Sequence, residues 1–174
     1  MLARITISSI IEKPDLISKK TKDILCIAAD ASRNPSVTIN SGWRSPTRQA
    51  YAMYENLSKG NLIKYAAAGR EVVKVYNQNE EKSKEEVIDL MIKKINELSA
   101  QGQRVSKHCV SEDEYRKMNI VDVSKYLQNP RDFCKMLLKE DDVVKIITPY
   151  SSDYNSKKIS VDAGEPAIHV EIKQ

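Results

Sequence analysis

Most of the predicted architecture follows from one segment, Asn119-Ile120-Val121-Asp122-Val123-Ser124. Its β-branched apolar residues are typical of a buried strand, and Asp122 places a carboxylate inside that run. An unpaired charge in a buried strand is costly, so a metal ion is expected to compensate it. If Asp122 is instead a surface residue, one face of the strand is simply solvated. The segment therefore predicts a sheet in the later part of the chain and a candidate metal ligand on it.

The rest of the chain separates into a mainly helical first part and a strand-rich later part. Helical spacing or helix-start signals occur from Pro14 to about Asn34, from Pro46, over 61–76 and over 85–98, where Gly102 ends the helix. A short strand is predicted at 36–40. Further strands are predicted at 104–108, 143–148 and 167–172, with a helix at 130–138. We therefore expect an α+β fold, with N-terminal helices packed on a C-terminal antiparallel sheet, in one domain of residues 1–174.

Composition limits the classes of protein to be considered. The three cysteines form an odd count without paired spacing, which argues against a disulfide framework. The first residues lack the pattern of a secretory signal, and no apolar run reaches membrane-spanning length. We expect cytoplasmic synthesis, no membrane span and a monomer. The net charge of +4 favours an anionic partner, but the basic residues are dispersed and no basic-aromatic ladder is present, which disfavours nucleic acid.

The chain has two histidines, His108 and His169, and each stands at a predicted strand. Asp122 lies between them in sequence. Two imidazoles and one carboxylate are the protein ligands of a catalytic zinc site that keeps its fourth position for water. Either histidine alone would be explained by ordinary packing. The three residues together predict a zinc centre and make hydrolysis the first hypothesis.

Five pieces of sequence, in order, resemble a known motif set: Ser41-Gly42-Trp43-Arg44-Ser45, Gln49, Ser106-Lys107-His108, Val121-Asp122-Val123 and His169-Val170-Glu171-Ile172. They are similar to the motifs of the zinc D,D-carboxypeptidase and L-alanyl-D-glutamate endopeptidase family. That family includes vancomycin-resistance carboxypeptidases, phage endolysins and the hedgehog signalling domain. The resemblance implies a hedgehog/D,D-peptidase-like fold and peptidoglycan stem peptides as substrates.

The resemblance also implies roles for particular residues. Zinc would be held by His108, Asp122 and His169, with Arg44 facing the substrate. A guanidinium can bind a peptide carboxylate through two hydrogen bonds or stabilise an oxyanion, which lysine does less well. Ser106 and Gln49 are further substrate-binding candidates, although Gln49 also suits packing or helix capping.

The general base is less well defined by the motifs. In the family an acidic residue shortly before the last histidine has this role, which implies Glu165 here. Glu171 is an alternative, because residues two apart on a strand share a face. Asp162, in the preceding loop, is a third candidate. We favour Glu165 as the catalytic carboxylate.

Two segments depart from the family pattern. Residues 109–118 separate His108 from the strand of Asp122 as an insertion without the usual glycine, and we expect a helical turn or a lid there. A helical insertion of about 61–101 goes beyond the smallest family members. The leading hypothesis is a zinc metallopeptidase that reaches the cell wall after release or secretion by another system. The alternative is a non-catalytic binding protein with a structural or vestigial zinc site.

Overall fold

The computed structural model describes residues 3–61 and 63–174, and the chain forms two compact units. The first combines the residues up to Trp43 with Glu112–Gln174, and we call it the sheet unit. The second is Arg44–Ser111, and we call it the helical unit. The predicted helical insertion of 61–101 lies wholly within the helical unit.

The sheet unit contains helices and strands, whereas the elements described in the helical unit are helices. In chain order these are β1 (Arg4–Ile7), α1 (Lys19–Ala31), β2 (Ser36–Ser41), α2 (Pro46–Ser58), α3 (Ala67–Asn77), α4 (Lys84–Ala100), α5 (Glu112–Lys117), β3 (Met118–Val123), α6 (Pro130–Leu137), β4 (Val143–Thr148), β5 (Ile159–Val161) and β6 (Ile168–Lys173), with a short 3₁₀ turn at Pro14–Leu16.

The sheet unit contains a six-stranded mixed sheet in the order β1-β2-β3-β6-β4-β5. Its four central strands pair in antiparallel fashion, whereas β1 pairs with β2, and β4 with β5, in parallel. The α+β class is therefore confirmed in its coarse form. The expectation of a purely antiparallel, C-terminal sheet was wrong, because β1 and β2 come from the first 41 residues and both edge pairs are parallel.

Burial along the strands explains why this sheet forms. Along β2, buried and more exposed residues alternate, whereas five of the six residues of the inner strand β6 are buried. Ile168, Val170 and Ile172 occupy every second position of β6 and pack in the apolar core, whereas His169 and Glu171 lie on the opposite face of the strand. Helix α1 contacts α6, β1 and β2, and its Leu25 and Ala28 belong to the same apolar core. The core therefore fixes the central strands that carry the candidate site.

Helix α1 begins later than the sequence indicates, at Lys19 instead of Pro14. Ser18 caps the helix, because its hydroxyl accepts the Thr21 N–H at 3.0 Å. Pro14 begins a separate 3₁₀ turn. The buried amide of Asn119 accepts hydrogen bonds from the Ser18 N–H at 2.8 Å and the Thr21 hydroxyl at 2.9 Å. The start of β3 is thereby tied to the start of α1.

The helical unit has an apolar core of its own, formed mainly by α2, α3 and α4. Helix α2 starts at the predicted Pro46, with Ser45 as its cap, and a capping box of Ser83 and Glu86 begins α4. Helix α3 begins at Ala67, so the prediction of a helix from 61 was wrong for its first turns; Leu62 lies outside the described residues. Gly102, at a φ of 72°, follows the end of α4 as expected.

Candidate functional site

Two of the predicted metal ligands, Asp122 and His169, lie side by side in the sheet unit. Asp122 on β3 is the direct register partner of His169 on β6. Side chains opposite each other on antiparallel strands point to the same face, so their ends can meet. His169 Nδ1 is 3.0 Å from Asp122 Oδ1, and the two side chains are 11% and 20% exposed. The sheet therefore brings together two residues that are 47 positions apart in the chain.

Glu171 contacts the other nitrogen of the same imidazole. It lies two residues after His169 on β6 and therefore on the same face. His169 Nε2 is 3.4 Å from Glu171 Oε1. Burial alone disfavours the charged imidazolium, but the hydrogen bonds to Asp122 and Glu171 outweigh it and raise the pKa of His169 to about 9. The imidazole is thus held between two carboxylates.

Glu165, the predicted general base, lies in the loop that precedes β6. The loop turns tightly there, because the Asp162 carboxylate accepts the Gly164 N–H at 3.0 Å and the Asp162 carbonyl accepts the Glu165 N–H at 3.0 Å. Partial burial and the Asp122 charge raise the pKa of Glu165, while His169 opposes the rise. The Asp122 and His169 charges thus act on this carboxyl group.

The electrostatic balance around His169 is negative. Asp122 and Glu171 contact the imidazole, Glu165 interacts with Asp122 and His169, and Asp162 acts on Glu165. Carboxylates that are close together and partly removed from water disfavour one another's charged forms unless a cation is present. Nitrogen and oxygen donors of this kind suit zinc. The donor set of the sheet unit therefore fits a divalent cation.

The third predicted ligand, His108, belongs to the helical unit, and its surroundings differ from the prediction. Residues 104–108 do not form the expected strand. The Ser106 hydroxyl accepts the His108 N–H at 3.2 Å, and the Ser106 carbonyl accepts the Cys109 N–H at 3.2 Å. These bonds curl the backbone into a turn, because they engage N–H groups that a strand would use for pairing. His108 is 6% exposed.

The same turn is connected to Arg44. The Arg44 N–H donates to the His108 carbonyl at 2.9 Å, so the backbones of the two motif segments are joined. Ser45 then caps helix α2, which places Gln49 one turn into that helix. Gln49 is 4% exposed, and its Oε1 accepts a bond from Arg44 Nη1 at 3.4 Å. Ser106 and Gln49, both predicted to bind substrate, thus hold the His108 turn and the Arg44 guanidinium within this unit.

One residue of the helical unit that the sequence did not single out is Tyr65. Its hydroxyl is buried, and burial raises the pKa of the phenol, while the Asn56 side chain and the Arg44 charge oppose the rise. The eight tyrosines are scattered along the chain without a pattern that distinguishes this one. The spacing to Gly69, four residues later, is the feature that could have drawn attention to it.

Comparisons with family models, with curated proteins and with solved structures find no match to this chain. The resemblance to the zinc peptidases therefore rests on the sequence motifs. Among the described helices, none has both the length and the apolar character that crossing a bilayer requires.

Proposed function

We propose that this protein is a zinc metallopeptidase that hydrolyses peptidoglycan stem peptides, with His108, Asp122 and His169 as its metal ligands. The observation that carries the proposal is the Asp122–His169 pair, whose Nδ1 and Oδ1 atoms are 3.0 Å apart on a partly buried face. His108 is the third ligand that the motif resemblance implies. The hedgehog/D,D-peptidase-like fold, the monomeric state and action at the cell wall belong to the same proposal.

The arrangement around His169 supports distinct roles for the two glutamates. When bound, zinc supplies a Lewis acid that lowers the pKa of its water and polarises a carbonyl. Glu171, 3.4 Å from His169 Nε2, would fix the tautomer of this imidazole and orient the ring. Glu165, partly buried near Asp122 and His169, would act as the general base toward water. We keep Glu165 as the catalytic carboxylate and assign Glu171 to orientation.

The helical unit supplies the features that would bind the substrate. Arg44 is fixed at its backbone by His108 and at its guanidinium by Gln49. A guanidinium held in this way binds a peptide carboxylate without losing much further side-chain entropy. Stem peptides carry carboxylates, so their charge complements Arg44. We therefore assign substrate binding to Arg44 and general base catalysis to Glu165.

Metal analysis combined with a digestion assay tests the proposal. We expect the purified protein to hold one zinc ion and to release soluble fragments from purified sacculi, with the cleaved bond identified by mass spectrometry of the muropeptides. His108→Ala should abolish both zinc binding and cleavage while the protein stays folded by circular dichroism. Asp89→Asn, at an exposed position of α4, is the control and should change neither.

Two outcomes would contradict the proposal. Bound zinc without cleavage of any muropeptide would favour the alternative of a binding protein with a structural or vestigial zinc site. A His108→Ala variant that keeps full activity would remove His108 from the site.

A further inference from the structure

Strand β4, which pairs with β6 on the side away from β3, contains an irregularity beside the candidate site. Val143 pairs with Ile172 but Lys145 pairs with Glu171, so Val144 and Lys145 stand opposite a single residue of β6. This arrangement is a β-bulge. Residues two apart on a regular strand share a face, and Lys145 would then share the core face of Val143. The bulge instead turns Lys145 to the face of Glu171.

Lys145 is therefore a neighbour of the residues around His169. Residues directly opposite each other on antiparallel strands have Cβ atoms about 4.5–5.5 Å apart, which places Lys145 beside Glu171. Glu171 in turn contacts the imidazole of His169. Ile147, two residues after Lys145, is the direct register partner of His169. Lys145 and Ile147 thus extend the face of the site from β6 onto β4.

This part of the sheet is accessible to a ligand. Lys145 and Ile147 are partly exposed, and so is Ser160, the partner of Ile147 on β5. Val143 and Ile146, which face the core, are fully buried. Among residues 3–61 and 63–174, no side chain forms an ion pair or hydrogen bond with the Lys145 ammonium. Its three donors can therefore bind a molecule from solution.

The charge of the site explains why a cation is useful at this position. Asp122 and Glu171 contact the imidazole of His169. Glu165 interacts with the same group. Three carboxylates exceed the charge of one divalent cation, so the site repels an anionic peptide even when a metal is bound. Lys145, on the same face of the sheet, offsets this repulsion.

We infer that Lys145 is a further substrate-binding residue, whose ammonium binds a carboxylate of the peptide beside the metal site. The inference rests on the proposed peptidase function and makes it more specific. It requires the substrate to carry a second anionic group in addition to the one that Arg44 binds.

Lys173 offers a matched control. It lies two residues after Glu171 on β6 and therefore on the same face of the sheet. It is exposed and pairs with Met118 at the far end of the strand. Lys145→Gln and Lys173→Gln each remove one positive charge and keep a polar side chain, whereas Lys145→Arg keeps the charge.

The experiment measures KM and kcat for a purified stem peptide, and the dissociation constant of the same peptide for chelator-treated protein by calorimetry. Lys145→Gln should raise KM and the dissociation constant about 5- to 10-fold, a loss between those typical of an exposed ion pair and of a hydrogen bond to a charged group. Its kcat and zinc content should not change. Lys145→Arg and Lys173→Gln should stay near the wild-type values. When the carboxylates of the peptide are converted to amides, Lys145→Gln should bind it as well as the wild type does.

Three results would overturn this inference alone in a wild type that cleaves the peptide. These are equal constants for Lys145→Gln and Lys173→Gln, an equally large loss with the amidated peptide, or a loss of zinc from Lys145→Gln. A wild type that binds the peptide without cleaving it would overturn the peptidase function, and the dissociation constants would still decide the role of Lys145. A wild type that does not bind the peptide would overturn both.

Discussion

The two units differ in charge and in how they hold their candidate residues. The sheet unit has sixteen basic and sixteen acidic residues, whereas the helical unit has twelve basic and eight acidic residues, so the net charge of +4 comes from the helical unit. In the sheet unit, Asp122 and His169 are fixed by paired strands. In the helical unit, His108 and Arg44 are fixed by a turn and a helix cap. Under the proposed function, the strand-borne residues of the sheet unit would bind the metal and transfer protons, and the more basic helical unit would bind an anionic substrate.

The largest effect expected from this comparison concerns Glu165. Glu165→Gln removes a carboxylate that can accept a proton but keeps the size of the side chain. We expect kcat on a muropeptide to fall about 10²- to 10⁴-fold, the contribution typical of general base catalysis, while the zinc content is retained. Steady-state kinetics together with metal analysis check this.

Arg44→Lys is the contrasting variant from the helical unit. Lysine keeps the charge but cannot form two parallel hydrogen bonds, so KM should rise while kcat changes less. If Glu165→Gln keeps full activity, the base assignment is wrong. If the Glu165 variant alters KM and the Arg44 variant alters kcat, the proposed division between the units is wrong.

A further large effect is expected on the stability of the sheet unit, where the buried Asn119 amide links β3 to residues near the start of α1. The amide of Asn119 accepts from the Ser18 N–H and the Thr21 hydroxyl and donates to the Leu16 and Tyr115 carbonyls. Asn119→Ala leaves several of these buried groups unpaired, and we expect it to lower the free energy of unfolding by about 3 kcal/mol or more. Urea denaturation measures this loss.

Asn79 in the helical unit is the matched control for Asn119. Its side chain donates a hydrogen bond from Nδ2 to the Val75 carbonyl at 2.8 Å. Asn79→Ala should cost about 1 kcal/mol. Hydrogen exchange should show faster exchange in β3 and α1 for the Asn119 variant and in α3 for the Asn79 variant. Equal losses in the two variants would show that the Asn119 network contributes no more than a single bond near the surface.

The elements that could be predicted from the sequence are those with strong local signals. The apolar runs at β3 and β6, Pro46 at the start of α2, and the spacing and cap of α4 each depend on residues that lie close together in the chain. Two edge strands were not predicted, because β1 has four residues and β5 three, too few to show a period. The strand at 104–108 was wrong because Ser106 bonds to N–H groups of its own segment.

The candidate site was predictable in its residue types but not in its geometry. The motifs identified Asp122 and His169, yet their direct opposition depends on strand register, which pairs residues far apart in sequence. The roles of Glu165 and Glu171 could not be separated by spacing, because one lies in a loop whose turn is set by Asp162. Glu171 contacts His169 Nε2, and the different roles proposed for the two glutamates are based on this contact.

Glu171→Gln is expected to have the smallest effect on the site. This variant tests whether the two glutamates of the sheet unit have the different roles proposed for them. The amide still reaches His169 Nε2, at 3.4 Å for the native carboxylate, but it lacks the negative charge that makes the imidazole a stronger ligand. Loss of such an orienting partner typically lowers metal affinity about 10- to 100-fold. We expect the zinc dissociation constant, measured by competition with a chelator, to rise within that range.

At saturating zinc, kcat should recover in Glu171→Gln but not in Glu165→Gln, because an orienting residue acts through the metal and a base acts on the water. If added zinc restores neither variant, both glutamates act in the chemical step, and the assignment of Glu171 to orientation is wrong.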